Sequence, residues 1–331
     1  MLTAVLSAFL SNLVVYMLIV SIIEHLCREK KEYNSLNFIL PIAMASVVGA
    51  TITLIGGAVL PTASGILGEY IGKEFKFFTT SGVSVIINLV LILYVGIIGY
   101  PLGKRIWKNR VQNIKQYKEK NNISISKSKY KRMIIILCVT LIAFIFADKI
   151  ASINKNINTS TISLISALLC ILSGCVSYKE AMKGIDLDVI IWLSATLGIA
   201  AGLINSGGSK LMADILMSKI GNNISPLLLY SIFVIIVAIL TQFLSNSATV
   251  SLILPIMCSI TIDMGLNTYS FAIGVAMAGT LGIATPLASS SLSLAATTNY
   301  RFTDFLKYCL PITVIETVAL ITVIPIVYPL V

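Results

Sequence analysis

A chain of 331 residues that is 57% hydrophobic and 11% charged, with a mean hydropathy of +0.94, falls outside the soluble globular class. Its formal charge of +10 does not point to nucleic acid, because 11 of the 24 Lys and Arg lie between Lys104 and Arg132, flanked by apolar segments. The excess of Lys and Arg typical of cytoplasmic loops makes that stretch a solvated linker, and the partner it implies for the rest of the chain is the lipid bilayer.

In chain order, the first apolar stretch is interrupted at Ser11-Asn12 and leaves through the charged run Glu24 to Tyr33. Phe38 to Leu60 is long enough to cross a bilayer, at about 20 helical residues per crossing, but it carries Gly49-Ala-Thr-Ile-Thr-Leu-Ile-Gly56-Gly57 inside it. Val83 to Tyr100 spans without interruption and leads into the basic loop. Met133 to Ala147, Ile162 to Val176 and Val189 to Ile204 follow as further spans, with the polar stretch Tyr178 to Asp188 before the last of them. Leu227 to Met264 is again interrupted by a Ser-Asn pair, Ser245-Asn246. Gly279-Thr-Leu-Gly282-Ile-Ala-Thr285-Pro286 breaks the next apolar segment, and Leu310 to Val331 closes the chain. Uninterrupted apolar runs exclude the alternation of a membrane barrel, so the expected fold is an all-α integral membrane protein.

An internal repeat is legible. Phe9-Leu10-Ser11-Asn12 matches Phe243-Leu244-Ser245-Asn246, Ala43-Met44-Ala45 matches Ala276-Met277-Ala278, Gly49 faces Gly282, and Phe75-Lys76-Phe77 faces Tyr300-Arg301-Phe302 in the same order. Polar pairs at mid-membrane depth suggest re-entrant hairpin tips. If the first hairpin opens to the cytoplasm, counting crossings makes the second open outward. The count also keeps Lys104 to Arg132, Lys179, Lys183, Arg301 and Lys307 inside. The expectation is an inverted-repeat transporter with two re-entrant hairpins, broken helices and a site near the midplane. Its parts are a partial first repeat (1–103), a basic cytoplasmic loop (104–132) and a second repeat (133–331). The N-terminus and basic loop are placed in the cytoplasm, the C-terminus outside, and the chain in the plasma membrane.

Chemistry-bearing residues are sparse. Cys27, Cys138, Cys170, Cys175, Cys258 and Cys309 are scattered without a CxxC, and His25 is the only histidine. No metal centre or organic cofactor is expected from them. The acids lie at helix ends or in loops, with only Asp263 and Glu316 close to apolar runs and neither with an evident partner. An enzyme is therefore not expected.

The paired Ser-Asn signatures, with Thr53-Leu54-Ile55-Gly56, Ala284-Thr285-Pro286 and Tyr300-Arg-Phe-Thr-Asp-Phe-Leu-Lys307, resemble the divalent anion:sodium symporter family over essentially the whole chain. That resemblance implies sodium-coupled uptake of a small di- or tricarboxylate or sulfate by elevator-type alternating access, in a homodimer. It places substrate at Ser11, Asn12, Ser245, Asn246, Ser247, Thr285 and Pro286. One sodium site would comprise Ser7, Ser11, Asn12 and Gly56, and the other Thr241, Asn246 and Ala284. Each hydroxyl in these sets has a second reading as a helix cap.

The family pattern is broken where Leu13 stands in place of threonine and where Gly57 to Leu60 lacks a Thr and an Asn. Only ten residues precede Ser11, so the first repeat reads as incomplete. The alternatives are a non-transporting fragment or subunit completed by another polypeptide, and an arsenite or sodium/proton antiporter of the same superfamily. The antiporter reading predicts a carboxylate at the tips, and the sequence has none there.

Overall fold

The computed structural model describes residues 1–29, 33–108, 110, 127–147, 159–185, 187–220 and 224–331. Most of the basic loop expected over 104–132, part of the charged run after α2, and the acidic positions Asp148 and Asp186 lie outside the described residues. Among the described residues every regular element is helical.

In chain order these are α1 (Leu2–Ser7), α2 (Asn12–Glu29), α3 (Leu36–Gly49), α4 (Val59–Ile71) and α5 (Ser81–Tyr94), which continues through one π-helical turn, Val95–Gly99, into α6 (Tyr100–Ile106). Then come α7 (Lys127–Ile145), α8 (Thr159–Leu172), α9 (Tyr178–Gly184), α10 (Leu187–Asn205) and α11 (Gly208–Ile220). The last group is α12 (Pro226–Leu240), α13 (Asn246–Asp263), α14 (Thr268–Gly279), α15 (Ser290–Ala296) and α16 (Phe302–Val327).

Three described helical stretches are long and apolar enough to cross a membrane: Ser81–Ile106, Asn246–Asp263 and Phe302–Val327. The first and third contain most or all of the spans expected from Val83 and Leu310 onward. The second is the stretch read from sequence as the returning limb of a hairpin. Its 18 residues satisfy a span by length and composition, although two thirds of that window is buried within the protein.

Two compact units are present. The larger comprises Met1–Phe75, Thr79–Lys115 and Leu193–Val331; the smaller comprises Lys76–Phe78 and Gln116–Trp192. In the smaller unit α7 and α8 pack together. Thr140 donates to Ser166 Oγ at 2.7 Å, and Phe77 stacks on Phe144 with centroids 4.6 Å apart. Ser177 caps α9 reciprocally with Glu180. The Ser177 hydroxyl and backbone N–H hold the Glu180 carboxyl below the usual carboxylate range.

The larger unit is built around α3 and α14. Every residue of α14 except Tyr269 is buried, as are Leu36, Leu40, Ala43, Met44, Val47 and Val48 of α3. A helix apolar on all sides is a core helix, and these two have no polar face to turn to solvent. Around α3 pack α1, α2, α5 and α15; around α14 pack α12, α13, α16 and α4. The helix that follows each interruption crosses to the other group, since α4 packs against α13 and α14, and α15 against α2 and α3. This interleaving brings the two Ser-Asn regions into one unit.

One ion pair ties the end of α6 to the start of α16. Arg110 reaches the Asp304 carboxylate, which also accepts the Arg301 N–H at 2.8 Å. Asp304 is 2% exposed. Replacing it with alanine leaves a mostly buried guanidinium and an N–H unpaired. Asp304→Ala is therefore expected to lower stability by about 2 kcal/mol, read as a fall in the thermal unfolding midpoint in detergent.

Candidate transport site

Both Ser-Asn pairs sit where a helix stops and the next begins. Residues 8–11 separate α1 from α2, and residues 241–245 separate α12 from α13. Ser245 caps α13 by accepting the Ala248 N–H at 3.4 Å. Asn12 Oδ1 accepts the Leu13 N–H at 2.8 Å. Both serve a helix start whose first N–H groups have no partner inside the helix.

The segments after α3 and α14 are non-helical over 50–58 and 280–289, as Gly and Pro within those apolar stretches led one to expect. A matching set of hydrogen bonds locks each to its Ser-Asn region. Ser7 donates to the Ser46 carbonyl at 2.5 Å, and Thr53 donates to the Ala8 carbonyl. Thr241 donates to the Gly279 carbonyl at 2.8 Å, and Thr285 donates to the Gln242 carbonyl. Ser7 stands to Thr241, Ser46 to Gly279 and Thr53 to Thr285 at offsets of 234, 233 and 232 residues.

Close backbone approach completes each region. A Cβ on Gly56 would lie 2.4 Å from the Ala50 carbonyl oxygen and 2.7 Å from that of Ser7. A Cβ on Gly282 would lie 2.4 Å from the Asn246 amide, 2.6 Å from Ala288 Cβ and 2.7 Å from the Thr241 carbonyl oxygen. Ala50 with Gly56 and Gly282 with Ala288 are the same close pair with the two small residues exchanged.

The second region has the richer polar chemistry. The Asn246 amide faces Thr241 Oγ1 at 2.8 Å, the Ala288 carbonyl at 3.2 Å and the Gly279 carbonyl at 3.3 Å, with its nitrogen assigned to that side because two of the three can only accept. Gln242, 7% exposed, donates from Nε2 to the Ala238 and Leu281 carbonyls, each at 2.8 Å, while its Oε1 accepts the Ala284 N–H at 2.9 Å. It clamps the non-helical 280–289 segment to the end of α12. Ala8, at the corresponding place in the first region, has no side chain to do this.

Of the residues singled out from sequence, Ser7 and Gly56 come together in the first region. Thr241, Asn246, Ala284 and Thr285 come together in the second, the last two through Gln242. Pro286 is held by its carbonyl, which accepts from Ser293 Oγ. Ser247 is buried and its carbonyl accepts from Ser251 Oγ at 2.8 Å, whereas Ser11 is exposed and its carbonyl accepts the Val15 N–H at 3.0 Å. The bonds described here do not tie Ser11, Ser245 or Ser247 to the Thr241–Asn246 cluster.

Backbone groups freed by the first interruption are satisfied by hydroxyls at the start of α5. The Thr51 carbonyl accepts from Thr80 Oγ1 at 2.6 Å and Ser84 Oγ at 2.7 Å, and the Ile52 carbonyl from Ser81 Oγ at 2.5 Å. These hydroxyls and Gln242 escaped the sequence reading. Gln242 stands in the same run as Ser245-Asn246, and that adjacency was the available signal.

A helical chain whose buried core encloses two interrupted helices, each locked to a Ser-Asn break, has the parts of a membrane transporter. Residues 2–331 match the family described as the sodium:sulfate symporter transmembrane region, and the chain belongs to that family.

Among its relatives are the uncharacterized transporter YfbS of Escherichia coli, 32% identical over 49% of this chain and 27% of that protein. An uncharacterized transporter of Haemophilus influenzae is 28% identical over 86% of this chain and 63% of that protein. The sodium-dependent dicarboxylate transporter SdcS of Staphylococcus saprophyticus is 25% identical over 86% and 59%. The chain thus spans less than two thirds of the length of each of these relatives. The family and these relatives are transporters, not enzymes, and the apolar helices of this chain are those of a membrane protein.

Proposed function

We propose that this chain carries the site of a sodium-coupled transporter for a small anion, a di- or tricarboxylate or sulfate. The observation that carries the reading is the convergence of Thr241 Oγ1, the Gly279 carbonyl and the Ala288 carbonyl on the Asn246 amide. Neutral hard oxygens gathered at one point are a suitable set for an alkali cation. A sodium ion coordinated by them would turn the amide so that its oxygen joins the set. Ser7, Ser11, Asn12 and Gly56 provide the corresponding place in the first region, with Ala284 lending backbone to the second.

Sodium bound beside each Ser-Asn break would neutralise the site for an anion contacted by Asn12, Asn246, Ser247, Thr285 and Pro286, with Ser11 and Ser245 nearby. The helix starts at Asn12 and Asn246 would each offer N–H groups and a positive dipole end to such an anion. No Lys or Arg is needed, and none stands in either Ser-Asn run.

The recurrence of the same bonds in both regions supports two repeats of inverted topology, with the breaks as re-entrant tips that move together against the remaining helices. The sodium-dependent dicarboxylate transporter among the relatives supports the choice of coupling ion and substrate class. A homodimer is the proposed assembly and the plasma membrane its location. The absence of an acid from both Ser-Asn runs disfavours the antiporter reading.

The test is uptake of radiolabelled succinate, citrate and sulfate into proteoliposomes in sodium and in potassium. Accumulation of at least one anion in sodium alone is expected. Equal uptake of all three in both salts would remove the reading.

A further inference from the structure

Outside the transport site, α16 holds a carboxylate that the proposed mechanism does not use. Glu316 is fully buried, and neither of its carboxyl oxygens has a hydrogen-bond partner among the described residues. At 1.5 Å per residue it lies about 21 Å from the start of α16 and about 17 Å from its end, too deep for the side chain to reach water at either end.

A second orphan acceptor lies level with it. Asn88 of α5 is buried; its nitrogen donates to the Ser84 carbonyl at 2.8 Å and toward the Val48 carbonyl at 3.4 Å, while its Oδ1 has no partner among the described residues. α5 and α16 pack antiparallel. Tyr94 donates to the Tyr308 carbonyl at 2.7 Å, and Tyr328 donates to the Thr79 carbonyl. Counting one for one from the first contact sets Asn88 opposite residue 314, and from the second opposite 319, which brackets Glu316. On the third side, Met44 of α3 touches Cys309, and one turn further along α3 is Val48, the residue Asn88 reaches.

A buried anion needs a counter-charge or hydrogen bonds, and the described residues of this junction supply neither. α3 carries no titratable residue. α5 contributes Tyr94, α12 contributes Tyr230, and α14 contributes Tyr269. Tyr94 and Tyr230 donate to the Tyr308 and Leu320 carbonyls, and Tyr269 is bonded to Thr79. α6 bears Tyr100, Lys104 and Arg105, and α16 itself Asp304, Lys307, Tyr308 and Cys309, all on the Tyr308 side of the register. No basic side chain lies on α3, α5, α12 or α14.

We propose that Glu316 and Asn88 form a proton site at the α3–α5–α16 junction, with Glu316 held as the neutral acid and donating its proton to Asn88 Oδ1. One proton then satisfies an oxygen on each side of the seam without placing a net charge in the core. The site is separate from the sodium and anion ligands and does not depend on the transport reading.

Infrared difference spectroscopy of the full chain in lipid nanodiscs tests it, since a protonated carboxyl absorbs apart from amides and carboxylates. Wild type minus Glu316→Gln at neutral pH is expected to show a carboxylic-acid carbonyl band. In Asn88→Ala that band moves to higher frequency, because the acid has lost its acceptor. Glu316→Gln is isosteric and neutral and is expected to fold; should it not, the frequency shift in Asn88→Ala alone decides. A carboxylate signature for Glu316 in place of the acid band would overturn the proposal, with sensitivity of that signature to sodium marking a metal-cation site instead. An acid band unmoved by Asn88→Ala would remove Asn88 from the site.

Discussion

Asn246→Ala is expected to reduce sodium-dependent uptake by about 10- to 100-fold, the equivalent of roughly 1.5–3 kcal/mol for a hydrogen-bonded group facing charge. Three oxygens, from Thr241, Gly279 and Ala288, point at this one amide. Removing it takes away both the group that links α13 to the non-helical segment and the ligand a sodium ion would recruit. The loss should appear first as a raised sodium requirement, because the backbone oxygens persist. Initial rates across a sodium titration check it, with Asn12→Ala measured alongside. Asn12 is bonded only to the adjacent Leu13 N–H in the bonds described above, so its loss should be the milder.

Gly282→Ala is expected to be at least as damaging, by a different route. The added methyl meets the Asn246 amide, Ala288 and the Thr241 backbone at 2.4, 2.6 and 2.7 Å. Two of those three are held by the main chain and cannot swing aside. Overpacking of this kind costs about 1–3 kcal/mol, and here the residues it displaces, Thr241, Asn246 and Ala288, are ones that carry proposed cation ligands. Uptake should fall to background while the protein still inserts and remains monodisperse in detergent. A control substitution of Gly82, with nothing within 4 Å of a built Cβ, should leave uptake near wild type.

Much of the helical architecture was legible because bilayer crossing demands long apolar runs, and Val83 to Tyr100 and Leu310 to Val331 are such runs. The interruptions were legible too, since Gly49 to Gly57 and Gly279 to Pro286 place helix-weakening residues inside apolar segments. Which atoms those interruptions would bond was not legible. Thr80, Ser81 and Ser84 reach carbonyls about 30 residues back in the chain, and Gln242 reaches residues about 40 ahead. Hydropathy records which segments are buried, not which carbonyl a side chain meets across a packed seam. The same limit hid the role of Glu316, noted as an acid near an apolar run. Only the register of α5 against α16 sets it level with Asn88. The Asn246–Asp263 helix shows the converse ambiguity, since a predominantly apolar helix of 18 residues suits a membrane span and a buried hairpin limb equally well by composition.

The most direct test of the central claim is gradient-driven uptake of radiolabelled succinate, citrate or sulfate in one set of proteoliposomes, with and without an inward sodium gradient, for wild type and Asn246→Ala. Accumulation that needs the gradient and is lost in the variant is the predicted result. Uptake that persists without sodium, or that Asn246→Ala leaves unchanged, would contradict it.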